Sequence, residues 1–216
     1  MLTGLYKRLL KLTSRPGEKG EYSGGYLQDR IRREALVLCR PSQGRALEIG
    51  CGEGLLLAQL EKENAGLKLW GVDNDDIRLK AASTRSGSFS LSNQDARKLS
   101  FEDGYFDVII CVNVLFNMPS KDDVRQILSE MKRVCKKGGS IIFDIRNSKN
   151  PALALKYRFA GYYDDTLKGL PLKTYSIEEI EALLKDMGME AVVKKFIGFN
   201  SPIFSMAVIM EIRKPC

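Results

Sequence analysis

The chain has 216 residues, 44% of them apolar and 28% charged, which suits one domain with a sizeable core. It contains no histidine, so a histidine base, a histidine metal ligand and every Ser-His or Cys-His nucleophile pair are excluded. The net charge is +7 but diffuse, and no apolar run approaches the roughly 20 residues of a membrane-spanning helix.

In chain order, residues 2–13 read as a short amphipathic helix, with Leu2, Leu5, Tyr6, Leu9 and Leu12 opposite Lys7, Arg8 and Lys11. Those cations interrupt any secretory h-region. Packing on the core, a lid over the substrate and a peripheral membrane contact are the readings open to it. A glycine-rich loop at 14–25 leads to a helix over about 26–39, closed by Pro41 and Gly44. Strand and helix then alternate. Strands are expected at 45–49, 67–72, 88–92, 106–112, 140–145, 191–197 and 204–212, and helices at about 55–64, 75–84, 121–136 and 176–187. The near-continuous apolar runs at 106–112 and 140–145 are those of strands covered on both faces. Such alternation predicts an α/β, doubly wound, mostly parallel seven-stranded sheet, and the short turn at Gly198 to Pro202 suggests an antiparallel hairpin at its edge, with the terminal strand reversed. Ser176 and Glu179 form a capping box that opens the last helix. The dense basic group Lys132, Arg133, Lys136 and Lys137 is expected to close the 121–136 helix, where it complements the dipole.

Residues Glu48-Ile49-Gly50-Cys51-Gly52-Glu53-Gly54 sit between the first strand and its helix. Glycines there let the backbone turn sharply and let a ligand approach bare N–H groups at a helix N-terminus. A dinucleotide fingerprint is not met, because its third glycine position is Leu55. Asp73 ends the second strand, where an acid can accept two ribose hydroxyls. Asp75, rather than Asp73, is the better helix cap. Asp95-Ala96 follow the third strand. The fourth strand runs into Asn113-Val114-Leu115-Phe116-Asn117-Met118-Pro119.

The Glu48–Gly54 pattern, with Asp73, Asp95, the 106–119 stretch and the Glu130–Gly139 stretch before the fifth strand, resembles the class I S-adenosylmethionine-dependent methyltransferases over roughly residues 44–146. It looks most like their small-molecule branch. The resemblance implies a Rossmann-like fold over 1–216, with a helical cap at 1–43, while the segment 148–175 is too long for a simple connection and reads as a substrate-facing insertion. It implies S-adenosylmethionine as cofactor, held by Glu48, Gly50, Cys51, Gly52, Gly54, Asp73, Asn74, Asp95, Ala96 and Asn113, with Tyr26 and Arg30 meeting it from the N-terminal region. In the family the acid at 73 takes the ribose, and the acid at 95 takes the adenine amino group. No metal is expected.

The acceptor pocket should form from Phe116, Asn117 and Arg146 with the insertion. Asp144, Tyr162 and Tyr163 are the candidates for a general base, although Asp144 and Arg146 could instead pair with each other. Many relatives carry histidine where this chain has Phe116 and Asn117, which removes a histidine-assisted deprotonation. The signature for methylating base amines is absent, since Asn113 is followed by Val-Leu-Phe. The expected reaction is methyl transfer to a small-molecule acceptor at oxygen, such as a phenol, sugar or lipid precursor. An RNA or protein acceptor, motivated by the +7 charge, and a non-catalytic cofactor-binding module are the alternatives. Five cysteines without paired spacing (Cys39, Cys51, Cys111, Cys135, Cys216) read as reduced thiols in a cytoplasmic protein. Monomer and homodimer both stay open.

Overall fold

The computed structural model describes residues 25–39, 43–85, 87–163 and 171–215. The helix expected at 2–13 and all but Gly25 of the loop expected at 14–25 lie outside the described residues. Seven strands, β1 (Gly44–Ile49), β2 (Leu67–Asp73), β3 (Ser90–Asn93), β4 (Phe106–Cys111), β5 (Cys135–Arg146), β6 (Ala191–Gly198) and β7 (Ser205–Arg213), form one sheet in the order β3-β2-β1-β4-β5-β7-β6. The first five run parallel. β7 inserts antiparallel between β5 and β6. Strand order therefore reverses between β1 and β4, and the carboxyl ends of these two strands flank the crevice where open α/β sheets bind ligands.

Among the described residues six helices flank the sheet: α1 (Tyr26–Cys39), α2 (Leu55–Glu63), α3 (Asp76–Ser83), α4 (Lys121–Val134), α5 (Pro151–Tyr163) and α6 (Ile177–Asp186). Period-two alternation along the strands sorts the core into two layers. Leu47, Ile49, Ile109 and Cys111 pack with Ile127 and Met131 of α4 and Ile180 of α6. Ala46, Val108 and Ile110 pack on the other face with Ile31 and Ala35 of α1 and Leu56 and Leu60 of α2. The expected caps are present: Asp75 accepts from the N–H groups of Ile77 and Arg78, and Ser176 and Glu179 complete a capping box on α6.

Two strand starts differ from the sequence reading by two residues or more. β5 starts at Cys135, not 140, because residues 136–139 pair through their backbone while their side chains are polar or absent. The N–H of Gly138 donates to Lys214 O (2.9 Å), and the N–H of Lys214 donates to Gly139 O (2.9 Å). β3 starts at Ser90, not 88, because Ser88 gives both its N–H (2.6 Å) and its hydroxyl (2.7 Å) to Glu61 rather than to β2. The basic group at 132–137 does not simply close a helix either. α4 ends at Val134. Arg133 binds Glu130, Asp103 and the carbonyls of Leu99 and Phe101, and Lys136 pairs with Asp107 at 2.6 Å. These cations fasten the β3–β4 connection and the β5 entry.

Glu48 of β1 is 4% exposed, and its Oε2 has no hydrogen-bond partner. Burial pushes its carboxyl from 4.5 up to about 8, against the pull of Arg32 and with repulsion from Asp73. A raised carboxyl pKa means that the folded chain holds more protons than the unfolded one across this window. Its contribution to stability therefore falls as pH rises from about 4.5 to about 8. Urea unfolding of wild type and Glu48→Gln should show wild type losing a few kcal/mol more than the variant between the two ends of that range. Parallel pH dependences would contradict the assignment.

Candidate active site

Both sides of the crevice are built from strand ends. After β1, the N–H groups of Gly50 (2.7 Å) and Cys51 (3.0 Å) both donate to Val72 O, which pins the turn to the end of β2. Gly50 has φ +71, and a Cβ there would lie 2.3 Å from Val114 Cγ2, so both conformation and space require glycine. Gly54, at φ +70, caps α2 with no side-chain partner. Gly54 has no side chain to cap the first N–H groups of α2, which carry the partial positive charge of a helix start, and the buried Glu48 carboxyl meets the N–H of Leu57 in that first turn.

Asp73 closes this side. Its Oδ2 accepts from Gly52 N (2.8 Å) and its Oδ1 from Asp75 N (3.0 Å). It is 8% exposed, and each carboxylate oxygen keeps a lone pair for a further donor. Asp95 lines the same crevice from the loop after β3. Arg97 binds it through Nε and Nη2 and reaches Asp123 at the start of α4 (2.7 Å). That guanidinium holds the Asp95 carboxyl below the usual carboxylate range.

After β4 the chain turns at Asn113, a non-glycine residue with φ +61. A buried group at the end of β5 holds it there. Asn113 N donates to Asp144 Oδ1 (2.5 Å), and Arg146 Nη2 donates to Asn113 Oδ1 (2.8 Å). Arg146, 1% exposed, also pairs with Asp144, donates from Nε to Tyr157 Oη (3.2 Å) and lies 4.4 Å over the Phe116 ring. Burial pushes the Asp144 carboxyl up, against the pull of Arg146.

These walls enclose a cleft of about 390 Å³, lined by Gly50, Asp73, Asn74, Asp95, Ala96, Asn113 and Asn117 together with Arg78, Arg97 and the 118–119 backbone turn. Seven residues expected from the sequence therefore meet in one crevice. Cys51, Gly52, Gly54 and Glu48 are not part of its lining, but Gly52 shapes it through Asp73. Tyr26 and Arg30 do not line it either: Arg30 reaches Tyr26 Oη at 3.3 Å, and Tyr26 is 55% exposed. Phe116 and Arg146 belong to the buried group next to the cleft. Of the two pairings left open at β5, the structure has Asp144 bound to Arg146, with its other oxygen on Asn113, so it is not poised as a base. Tyr162 and Tyr163 close α5, and their side chains lie outside the described residues.

Sequence reasoning missed Arg97, whose position two residues after Asp95 is the only signal it carries. It also missed the link from Tyr157 to Arg146, which depends on α5 folding back over β5. The donor set fits S-adenosylmethionine. Two acids and the buried Asn117 Oδ1, which has no partner, offer acceptors to the hydroxyls, amino groups and positive charge of that molecule. Among the described residues no cluster of acids and thiols could hold a metal ion.

Residues 47–143 match the family model described as a methyltransferase domain. YqeM of Bacillus subtilis (strain 168) is 31% identical over 112 residues, 50% of this chain and 44% of that protein, so the chain spans less than half of YqeM's length. The ubiquinone biosynthesis O-methyltransferase of Methylococcus capsulatus is 26% identical over 167 residues, 72% of this chain and 67% of that enzyme. Among solved structures, magnesium protoporphyrin IX methyltransferase from Synechocystis PCC 6803 with bound SAH aligns with a TM-score of 0.67 at 17% identity. It covers 87% of this chain and 83% of that one and shares the fold. The glycine turn, the strand-end acids and the matched stretch thus meet on one crevice: residues 47–143 of the chain form a methyltransferase domain with the class I methyltransferase fold, and its cofactor is S-adenosylmethionine.

Proposed function

We propose that this chain transfers a methyl group from S-adenosylmethionine to the oxygen of a small molecule that ionises readily, a phenol or carboxylate. The observation that carries the reading is the cleft at the β1/β4 switch point, with Gly50 and Asp73 on one wall and Asn113 on the other. The Methylococcus capsulatus relative, named as an O-methyltransferase, supports oxygen as the acceptor atom.

Bound S-adenosylmethionine supplies an electrophilic methyl group on a sulfonium. The residues contribute binding, orientation and exclusion of water, which can account for roughly 7–11 kcal/mol of barrier lowering. Asp73 is placed to take ribose hydroxyls while its other lone pairs keep the glycine turn in shape. Asp95 and Ala96 form the adenine side, braced by Arg97. Asn113 supplies the wall nearest the acceptor, and its backbone is held by Asp144 and Arg146. In this reading, with no histidine in the chain and Asp144 engaged by Arg146 and Asn113, the acceptor oxygen ionises on its own, and the base candidates Tyr162 and Tyr163 are not called on. An oxygen that is already ionised needs no base, whereas an alcohol would lack the 10²–10⁴-fold that a base supplies.

Isothermal titration with S-adenosylhomocysteine should give a Kd on the order of 1 μM in wild type, about −8 kcal/mol. Asp73→Ala should weaken this at least tenfold, about 1.4 kcal/mol, with a melting curve that still shows a cooperative fold. Unchanged affinity would overturn the ribose role. Across a series of substituted phenols, the pH midpoint of kcat/KM should move with the acidity of each phenol. A midpoint fixed across the series would reveal a base on the protein and contradict the proposed mechanism.

A further inference from the structure

Asn117 ends the short 3₁₀ turn after β4 (Leu115–Asn117). It lines the cofactor cleft, and its Oδ1 is buried with no partner. Among the described residues that line the cleft, no other acceptor is left in that state. The neighbouring ones are engaged. Asp73 accepts two N–H groups, Asp95 is bound by Arg97, Gln94 Oε1 accepts from Ser100 N (2.9 Å), and Asn113 Oδ1 accepts from Arg146 Nη2 (2.8 Å). A buried acceptor without a donor destabilises the chain that carries it. A ligand that brings the donor removes that cost.

The backbone that carries this amide is fixed on both sides. Asn117 N donates to Val114 O (2.9 Å), Met118 N to Leu115 O (3.2 Å), and Phe116 O accepts from Lys173 N (2.7 Å). Beyond the turn, Met118 and Pro119 also line the cleft. Ser120 then caps α4, and Asp123 in the first turn of α4 accepts from Arg97 Nη1 (2.7 Å). The same guanidinium binds Asp95 through Nη2 (2.7 Å). The loop therefore runs from Asn113 toward Asp95, and Asn117 lies on the stretch between them.

The cofactor's donors are its ribose hydroxyls, its ammonium group and the adenine amino group. The ribose belongs to Asp73 and the methyl-bearing end to Asn113, which leaves the adenine for the Asp95 side. The adenine amino group has two N–H bonds, one beside ring N1 and the other beside ring N7. An acid at the N1 edge takes the first and leaves the second, with N7, unmet. A carboxamide complements that remaining pair, because its oxygen accepts from the amino group while its nitrogen donates to N7. We propose that Asn117 reads the N7 edge of the adenine ring, with Oδ1 accepting from the amino group and Nδ2 donating to N7. The assignment rests on the adenine placement beside Asp95 and Ala96 given under the proposed function. It makes Asn117 a cofactor-specificity residue and not part of the acceptor pocket in which the sequence pattern put it.

Isothermal titration with S-adenosylhomocysteine and with its 7-deazaadenosyl analogue, in which C–H replaces N7, tests this. Wild type should bind the analogue at least about tenfold more weakly. Asn117→Leu should lose at least about tenfold in affinity for S-adenosylhomocysteine, and its ratio between the two ligands should fall to about one. The ratio is taken within each protein, so a general loss of fold in the variant cancels from it. Asp95→Ala should weaken both ligands and keep the wild-type ratio, which reads the adenine placement separately. Equal binding of the two ligands by wild type, or a ratio that Asn117→Leu leaves unchanged, would overturn the assignment and leave the placement standing. Wild-type affinity in Asp95→Ala would overturn the placement and the assignment with it.

Discussion

The site depends on one carboxylate. Asp73 stands at the end of β2 and takes the N–H of Gly52 on one oxygen and that of Asp75 on the other. It thereby joins the glycine turn after β1 to the start of α3. A turn of left-handed glycines has little conformational preference of its own. Without Asp73 and the double donation to Val72 O, it would have no fixed shape to offer a ligand. The same carboxylate then faces the cleft, so the group that builds the cradle is also the group that marks where a nucleoside would lie.

The opposite wall has a comparable anchor of different chemistry. Arg146 and Asp144 are each 1% exposed at the side chain, and neither would tolerate burial alone. Together they satisfy Asn113, Tyr157 and the Phe116 ring, and so hold a non-glycine residue at positive φ beside the cleft. A buried pair of this kind is weak evidence of net stability, but it does fix geometry. Here the geometry fixed is that of the loop after β4, which lines the cleft through Asn113.

Much of this could be read before any coordinates. All seven strands were expected from the sequence, β4 and β5 most plainly as near-continuous apolar runs, and the glycine turn, Asp73 and Asp95 stood out by residue type at strand ends. What could not be read was backbone pairing without an apolar signal, as at Lys136–Gly139, and pairing between distant side chains. Arg97 and Tyr157 look like any surface arginine and any insertion aromatic until the fold brings Asp123 and Arg146 to them. Asp144 shows the limit clearly. Its position at the end of a buried strand fitted a base and an ion-pair partner equally well, and only the placement of Arg146 and Asn113 N decided between them.

The most direct test of this account is a crystal structure of the chain with S-adenosylhomocysteine. The account predicts the ribose on Asp73, the adenine beside Asp95 and Ala96, and the thioether facing Asn113. A nucleoside bound anywhere outside the β1/β4 crevice would contradict it.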